Sequence, residues 1–468
     1  MSERPRSLFV TGVILSLLLG LSAFALRQAF TSRVPGGNDL YPRWAAGCDW
    51  LTTGRDPYSP ESTRRIQQGI YGRPATPDED QVAFAYPIYT VLLTWPLCLT
   101  TDFAMVHAVA MTALVVCALG TAVLARRATG WRPGPRLWIW SLVWIALLYP
   151  TARGLLLGQL AGVVALLQIG ALEGLRLRRD HLAGAAMALS TIKPQMALLI
   201  LPLVLFWAVC QRRWKVVTGF VFVLGALIVI PLIWLPAWPA AWLTGLGEYT
   251  GYTEFGSITW ILTTHAFGTP VFVESAVTLA LLAWFLVELW RSRHAGFEAM
   301  LWAASLAIVL THFISPRTAT THFGPLLLPL FMLFRLWQSS NERRGAWMAA
   351  VTWPAVGLAT WALFLLTVEG IQESAANYVP IPLLLLVVLV WMRRPWPRLA
   401  QAARKSASAG PRPGSFRWPQ AWSCDYPAWK VGRSGMTRPS ASCWRRAPSP
   451  RFSRGRPPTR CRPLTTSF

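Results

Sequence analysis

The chain has 468 residues, of which 54% are hydrophobic and only 14% charged, with 26 Trp and a mean hydropathy of +0.40. A soluble domain carries about a quarter charged residues, so a soluble globular fold is excluded. Long apolar runs recur along the chain, which makes the class an all-α polytopic membrane protein. The formal net charge of +24 does not point to nucleic acid. From Gln401 onward there are fourteen Lys/Arg against one acid, Asp425, so +13 lies in the last segment and +11 in the body, where basic residues gather at the ends of apolar runs. That distribution orients a membrane protein. The seven Cys show no CxxC or Cys/His spacing, and neither a disulfide framework nor a metal site is expected.

The first apolar run, Leu8 to Phe30, follows Arg4 and Arg6, which places the N-terminus in the cytoplasm. The run is too long, and its flanks are wrong, for a cleaved signal peptide. A polar loop, residues 31–82, then lies outside. Pro35, Gly36 and Gly37 break the helix at its start, and Tyr41, Trp44 and Trp50 supply aromatics suited to a membrane interface. Residues 84–96 are short for a span and are expected to form an interfacial or re-entrant helix.

Beyond it, apolar runs at 102–124, 137–149, 158–177, 182–192, 194–210 and 214–235 are expected to cross, with the limbs of the 182–210 hairpin short and broken at Lys193 and Pro194. A second external loop covers 236–270. Runs at 271–290, 297–314, 320–337, 346–368 and 379–392 complete a bundle of about twelve spans with both termini inside. No internal repeat is evident, which weighs against transporters built from duplicated halves. Residues 1–395 form the membrane body. Residues 396–468, rich in Arg, Pro, Ser and Trp, are expected to be a disordered basic cytoplasmic tail, able to touch anionic lipid at the inner leaflet.

The candidate polar groups concentrate in the external loops, so an active site should face outward. Asp39 stands a few residues beyond the first membrane exit, where a carboxylate can act as a base towards a hydroxyl arriving from lipid or water. Its other reading is a turn or N-cap acid. Asp56, before Pro57, favours a structural turn, and Asp78, Glu79 and Asp80 read as a solvated face. Lys193, a charge within an apolar stretch, costs about 3 kcal/mol at a helix centre; its place at a helix break suits an anion. Arg153, Arg317 and His322 sit at outer helix junctions and, with Lys193, would make a basic pocket for a phosphate. His107 and His312 read as satisfied core histidines. In loop two, Glu248, Tyr249, Tyr252, Glu254 and His265 are candidates for sugar hydroxyls, with loop packing the competing account.

An ordered set of residues then resembles a known family. The set is an Asp shortly after the first helix, Tyr41 with Trp44 and Ala45, and Gly54, Asp56, Pro57 and Tyr58. It continues with Tyr86 and Pro87 ahead of Trp95 and Pro96, then Gly158 and Gln159. Ala183 and Gly184 ahead of Lys193 and Pro194 follow, and it ends in the loop from Phe255 to Ile261. It is similar to glycosyltransferase family 87, membrane mannosyltransferases of the GT-C superfamily. The resemblance covers about Leu8 to Arg394. It implies a GT-C-like bundle with large extracytoplasmic loops, and an enzyme of the cytoplasmic membrane whose active site faces outward. It further implies inverting transfer of a hexose, mannose in the family, from a polyprenyl-phosphate donor to a lipid or glycan acceptor. The family's loop-one Asp maps onto Asp39 as catalytic base. Lys193, Arg153, Arg317 and His322 are expected to bind the donor phosphate, and Tyr41, Trp44, Tyr58, Tyr86, Gln159 and Ser257 the substrate. No cofactor, metal or nucleic-acid partner is implied. Members often carry Asn-Gln before the loop-two Ser, where this chain has Phe255 and Gly256, a departure that touches the sugar or the acceptor.

Two rival readings come from other classes. A transporter or flippase of a lipid-linked or anionic solute accommodates Lys193 but not the large one-sided loops. A structural subunit of an envelope-assembly complex would need no site at all.

Overall fold

The computed structural model describes residues 3–77, 79–249, 256–370 and 373–396. Asp78, Tyr252 and Glu254 lie outside the described residues, as does the expected tail beyond Trp396. Contacts divide the chain after Ser408, and all described residues belong to the first unit.

Its secondary-structure elements are all helices. α1 (Glu3–Leu26) runs on as a π-turn through Thr31. Loop one is folded into α2 (Tyr41–Thr53) and α3 (Pro60–Tyr71), and returns through α4 (Val91–Thr94) between two 3-10 turns. The first half of the bundle is α5 (Phe103–Thr129), α6 (Pro135–Leu147), α7 (Tyr149–Leu157), α8 (Ala161–Arg176), α9 (Asp180–Leu189), α10 (Pro194–Ala197), α11 (Ile200–Cys210) and α12 (Trp214–Leu232). Loop two holds α13 (Trp238–Tyr249) and α14 (Ile258–Trp260). The second half is α15 (Val271–Ser292), α16 (Phe297–Ile314), α17 (Leu327–Ser340), α18 (Glu342–Thr367) and α19 (Pro380–Met392).

Among the described residues seven helices are long and apolar enough to cross a membrane, and an eighth span results if α6 and α7, bent by 49°, count as one. The other runs of the expected bundle of about twelve fall on shorter helices. A span needs about 20 residues at 1.5 Å rise each. The runs at 158–177, 182–192, 194–210 and 320–337 yield α8 with 16 residues, α9 with 10, α11 with 11 and α17 with 14. Each is cut by a local breaker: Gly158 in the left-handed region ahead of α8, Lys193–Pro194 between α9 and α10, and a 3-10 turn containing Pro325 ahead of α17.

Buried share separates the helices. The window of α16 is 78% buried and that of α1 6%, although both are apolar all round. An all-round apolar helix is either core or lipid-facing; α16 is the core. Trp131, Phe331, Phe334 and Trp353 pack beside it, Trp353 edge to face and Trp131 tilted against the two Phe rings, with ring centroids 4.7–6.1 Å apart. α9 and α12 cross closely because Gly184 faces the Val216 carbonyl and Gly219 the His181 carbonyl; a side chain at either would meet backbone.

Loop one is packed rather than draped. Trp50, Ile66, Phe84, Tyr86, Ile88 and Tyr89 bury together against Leu160, Val164 and Ile192 of the bundle. Caps follow the sequence: Ser59 accepts from Ser62 N ahead of Pro60, and Gly72 ends α3 in the left-handed region. Asp56 accepts from Tyr58 N at 2.9 Å, the turn role its position before proline suggests. Glu79 forms a two-pronged pair with Arg73, at 2.7 and 2.8 Å, and this guanidinium holds its carboxyl down at about 2.

One expectation is corrected here. Cys48 on α2 and Cys98 form a disulfide with Cα atoms 5.4 Å apart, where no disulfide was expected. Trp396 is 1% exposed, donates from Nε1 to Glu298 O at 2.9 Å and carries the Arg335 guanidinium 5.0 Å above its ring. Trp396→Ala should destabilise the body by about 3–5 kcal/mol, the cost of emptying a buried indole site. A chain ending after Arg398 should keep full thermal stability in detergent, so comparing the two melting curves checks the boundary.

Candidate active site

The start of loop one is clamped on the C-terminal end of α7. A helix leaves its last carbonyls unpaired, and here Gly37 N donates to Leu156 O at 2.7 Å, while Asp39 N and Leu40 N donate to Leu157 O at 3.1 and 3.2 Å. Gly37 has φ +73° and would otherwise press a side chain into the Phe103 ring. Gly158, at φ +67°, ends α7 with its Cα against Leu40. Both positions require glycine. The clamp brings Asp39 beside Gln159, the residue that follows Gly158.

A continuous polar line results. Gln159 donates from Nε2 to Asp39 Oδ2, and Lys193 Nζ donates to Gln159 Oε1 at 2.6 Å. Lys193 is 3% exposed and stands at the break between the 3-10 turn of Ser190–Ile192 and α10, with φ −131° and ψ 78°. On the other side of Asp39, Arg43 Nη1 lies 3.9 Å from Oδ1, and the Arg43 guanidinium covers the Tyr86 ring at 4.1 Å. Asp39, Arg43 and Arg317 are all within electrostatic reach of the Lys193 ammonium.

His322 and Arg317 line one cavity with Gln168, Gln195, His312 and Thr318. His322, in the 3-10 turn before α17, is in turn within electrostatic reach of Lys193 and Arg317. Arg153 lies apart from this line, paired with the buried Glu373 at 3.2 Å, which also accepts from Thr320 Oγ1 at 2.6 Å.

The aromatic candidates act as struts in this state. Tyr58 donates to Tyr86 O at 2.7 Å; burial first, then the Asp56 carboxylate, push its phenol up, so it stays a donor. Trp44 donates to Leu97 O at 3.0 Å, and Tyr41 meets Phe103 edge on at 4.9 Å. Ser257 caps α14, accepting from Trp260 N at 3.1 Å. His107 contacts Leu155 O at 3.3 Å and His312 contacts Thr318 Oγ1 at 2.9 Å, so both ring systems have internal partners. Among the described residues no three His, Cys, Asp or Glu side chains gather to hold a metal ion.

Arg43, Glu373, Gln168 and Gln195 were not singled out from the sequence. Arg43 had a readable signal, since it follows Asp39 by one helical turn. The two glutamines had none that separates them from ordinary interior amides.

The class defined by these features is a multi-pass helical membrane protein with an acid, an amide and a buried ammonium aligned under a folded loop. The model of glycosyltransferase family 87 matches residues 84–316, and over that stretch the chain belongs to this family; it is a membrane glycosyltransferase. The match includes Gln159 and Lys193 and begins after Asp39. No curated protein and no solved structure matches the chain.

Proposed function

We propose that the protein transfers a hexose, mannose by the family resemblance, from a polyprenyl-phosphate donor to a lipid or glycan acceptor, with inversion, at the outer face of the cytoplasmic membrane. The observation that carries this reading is the hydrogen-bonded line from Asp39 through Gln159 to Lys193. Asp39 Oδ1, the oxygen that Gln159 leaves open, takes the proton of the acceptor hydroxyl as that oxygen bonds to the anomeric carbon. The carbon–oxygen bond to the carrier phosphate breaks on the opposite face, and the electron pair leaves with the phosphate. The donor is a diester with one negative charge, and the leaving monoester gains a second, which Lys193 and Arg317 meet. His322, in the same cavity as Arg317, and Arg153, through its pair with Glu373, border the phosphate path. Tyr41, Trp44, Tyr58, Tyr86 and Ser257 frame the sugar side.

The outer-face reading is supported by the Cys48–Cys98 disulfide in the segment that carries Asp39, since disulfides persist in oxidising compartments. Arg64 is exposed on α3. Arg64→Cys, in a background keeping Cys48 and Cys98 and lacking the other cysteines, should react with a membrane-impermeant maleimide added to intact cells. Reaction only after lysis would put loop one inside.

The test of the function is incubation of the purified protein with radiolabelled polyprenyl-phosphate mannose and extracted membrane lipids. Label is expected in a new lipid or glycan product. Its retention on the carrier, with turnover of a different polyprenyl-phosphate sugar, would overturn mannose but keep the class.

A further inference from the structure

We infer that Gln159 is a positioning residue rather than a sugar ligand: its amide ties the Asp39 carboxylate to the Lys193 ammonium while holding the two as separate ions. The inference rests on the reading of Asp39 as the base. A carboxylate only accepts hydrogen bonds and an ammonium only donates them, so the amide orientation is dictated by its partners. Nε2 faces Asp39 Oδ2 and Oε1 faces Lys193 Nζ. Each end of the amide is therefore engaged inside the protein.

The backbone serves the same arrangement. Leu156 and Leu157 hold loop one through their carbonyls, and Gln159 follows two residues later from the same helix end. One structural unit thus sets both partners of the contact. Among the described residues the ion pair of Asp39 is with Arg43, at the long distance of 3.9 Å, and none is made with Lys193.

Separation matters chemically. A direct pair between Asp39 and Lys193 in a buried setting would lower the basicity of the carboxylate and commit the ammonium that the leaving phosphate needs. The amide passes polarisation between them without letting them neutralise each other. The groups around Asp39 are Gln159 and, through it, Lys193; Arg43 on α2; Tyr86, under the Arg43 guanidinium; and, against the preceding Gly36 and Gly37, the His107 ring of α5.

Two substitutions pull in opposite directions. Gln159→Glu sets a second carboxylate against Asp39, so the acidic limb of the pH–rate profile should move to higher pH, by about one unit. Gln159→Met keeps the length but removes both polar ends. Lys193 then closes on Asp39, the limb moves to lower pH, and the rate on the plateau falls. The measurement is initial transfer from radiolabelled polyprenyl-phosphate mannose by purified protein across pH, with the unfolding midpoint of each variant recorded in detergent. Opposite shifts of the limb support the role. An unmoved limb in both variants, or shifts of the same sign, overturns it; a raised KM with an unmoved limb marks a sugar ligand instead. Wild-type transfer by Asp39→Asn would instead overturn the base reading on which the inference stands.

Discussion

Asp39→Asn should reduce the chemical step by a factor of about 10² to 10⁴, the usual contribution of a positioned base, while leaving donor binding within a few-fold of the wild type. The amide has the shape of the carboxylate and retains an oxygen for the Gln159 Nε2 contact. The backbone clamp on Leu156 and Leu157 does not involve the side chain at all, so the loop should stay in place. What is lost is a group that takes a proton. A purely structural Asp39 leads to a different result, because Asn serves nearly as well in turns and caps. Single-turnover transfer at saturating donor separates the two accounts, and near wild-type transfer by this one variant would remove Asp39 from the mechanism. Carrier binding, followed by quenching of Trp fluorescence, checks that the loss lies in chemistry.

How far the sequence carries depends on the kind of feature. The long apolar helices were legible: seven spans coincide with runs of about 20 apolar residues, because lipid demands that length and composition. The four remaining runs form shorter helices. A run counted by composition does not reveal that Gly158 or Pro325 cuts the helix, whereas the break at Lys193–Pro194 was legible; all three lie where the polar line and its cavity assemble. Membrane proteins place their sites at such interrupted helices, where freed backbone and half-helix ends meet a ligand. The Lys193–Pro194 break, read from the sequence, falls where Lys193 reaches Gln159.

Juxtaposition across long sequence separations was legible only in part. Nothing in the spacing of Cys48 and Cys98, fifty residues apart, announces that α2 and the Trp95–Leu99 turn lie side by side. Asp39 and Lys193 were selected for local reasons, an acid at a membrane exit and a charge in an apolar run, and Gln159 for its place in the family resemblance. Their hydrogen-bonded line follows from the α7 carbonyls, which no local pattern encodes. Arg43 was missed although its i, i+4 relation to Asp39 is explicit in the sequence, because residues 31–82 read as a polar loop, whereas α2 already begins at Tyr41.

Lys193→Met should weaken binding of polyprenyl phosphate by a factor of about 10 to 100, in line with the 1.5–3 kcal/mol of a hydrogen bond to a charged group, and should also lower the transfer rate. The two effects arise from one charge at two stages. The proposed donor, a phosphodiester, would already carry a negative charge in the ground state, so part of the loss is in binding. The monoester gains another as the anomeric bond breaks, so a further part appears only in the transition state and lowers kcat. Met keeps the unbranched stem in a site that is 3% exposed, so packing is conserved. The main internal cost is the Gln159 Oε1 acceptor left without its donor, about 1–3 kcal/mol of stability. Lys193→Arg should restore binding only in part, since a planar guanidinium is larger and presents its charge in a fixed fork. Titration with polyprenyl phosphate, read by Trp fluorescence at matched pH, measures the first effect and single-turnover transfer the second. Unchanged affinity in Lys193→Met, with the protein still folded in detergent, would show that the ammonium serves the helix break and not the phosphate.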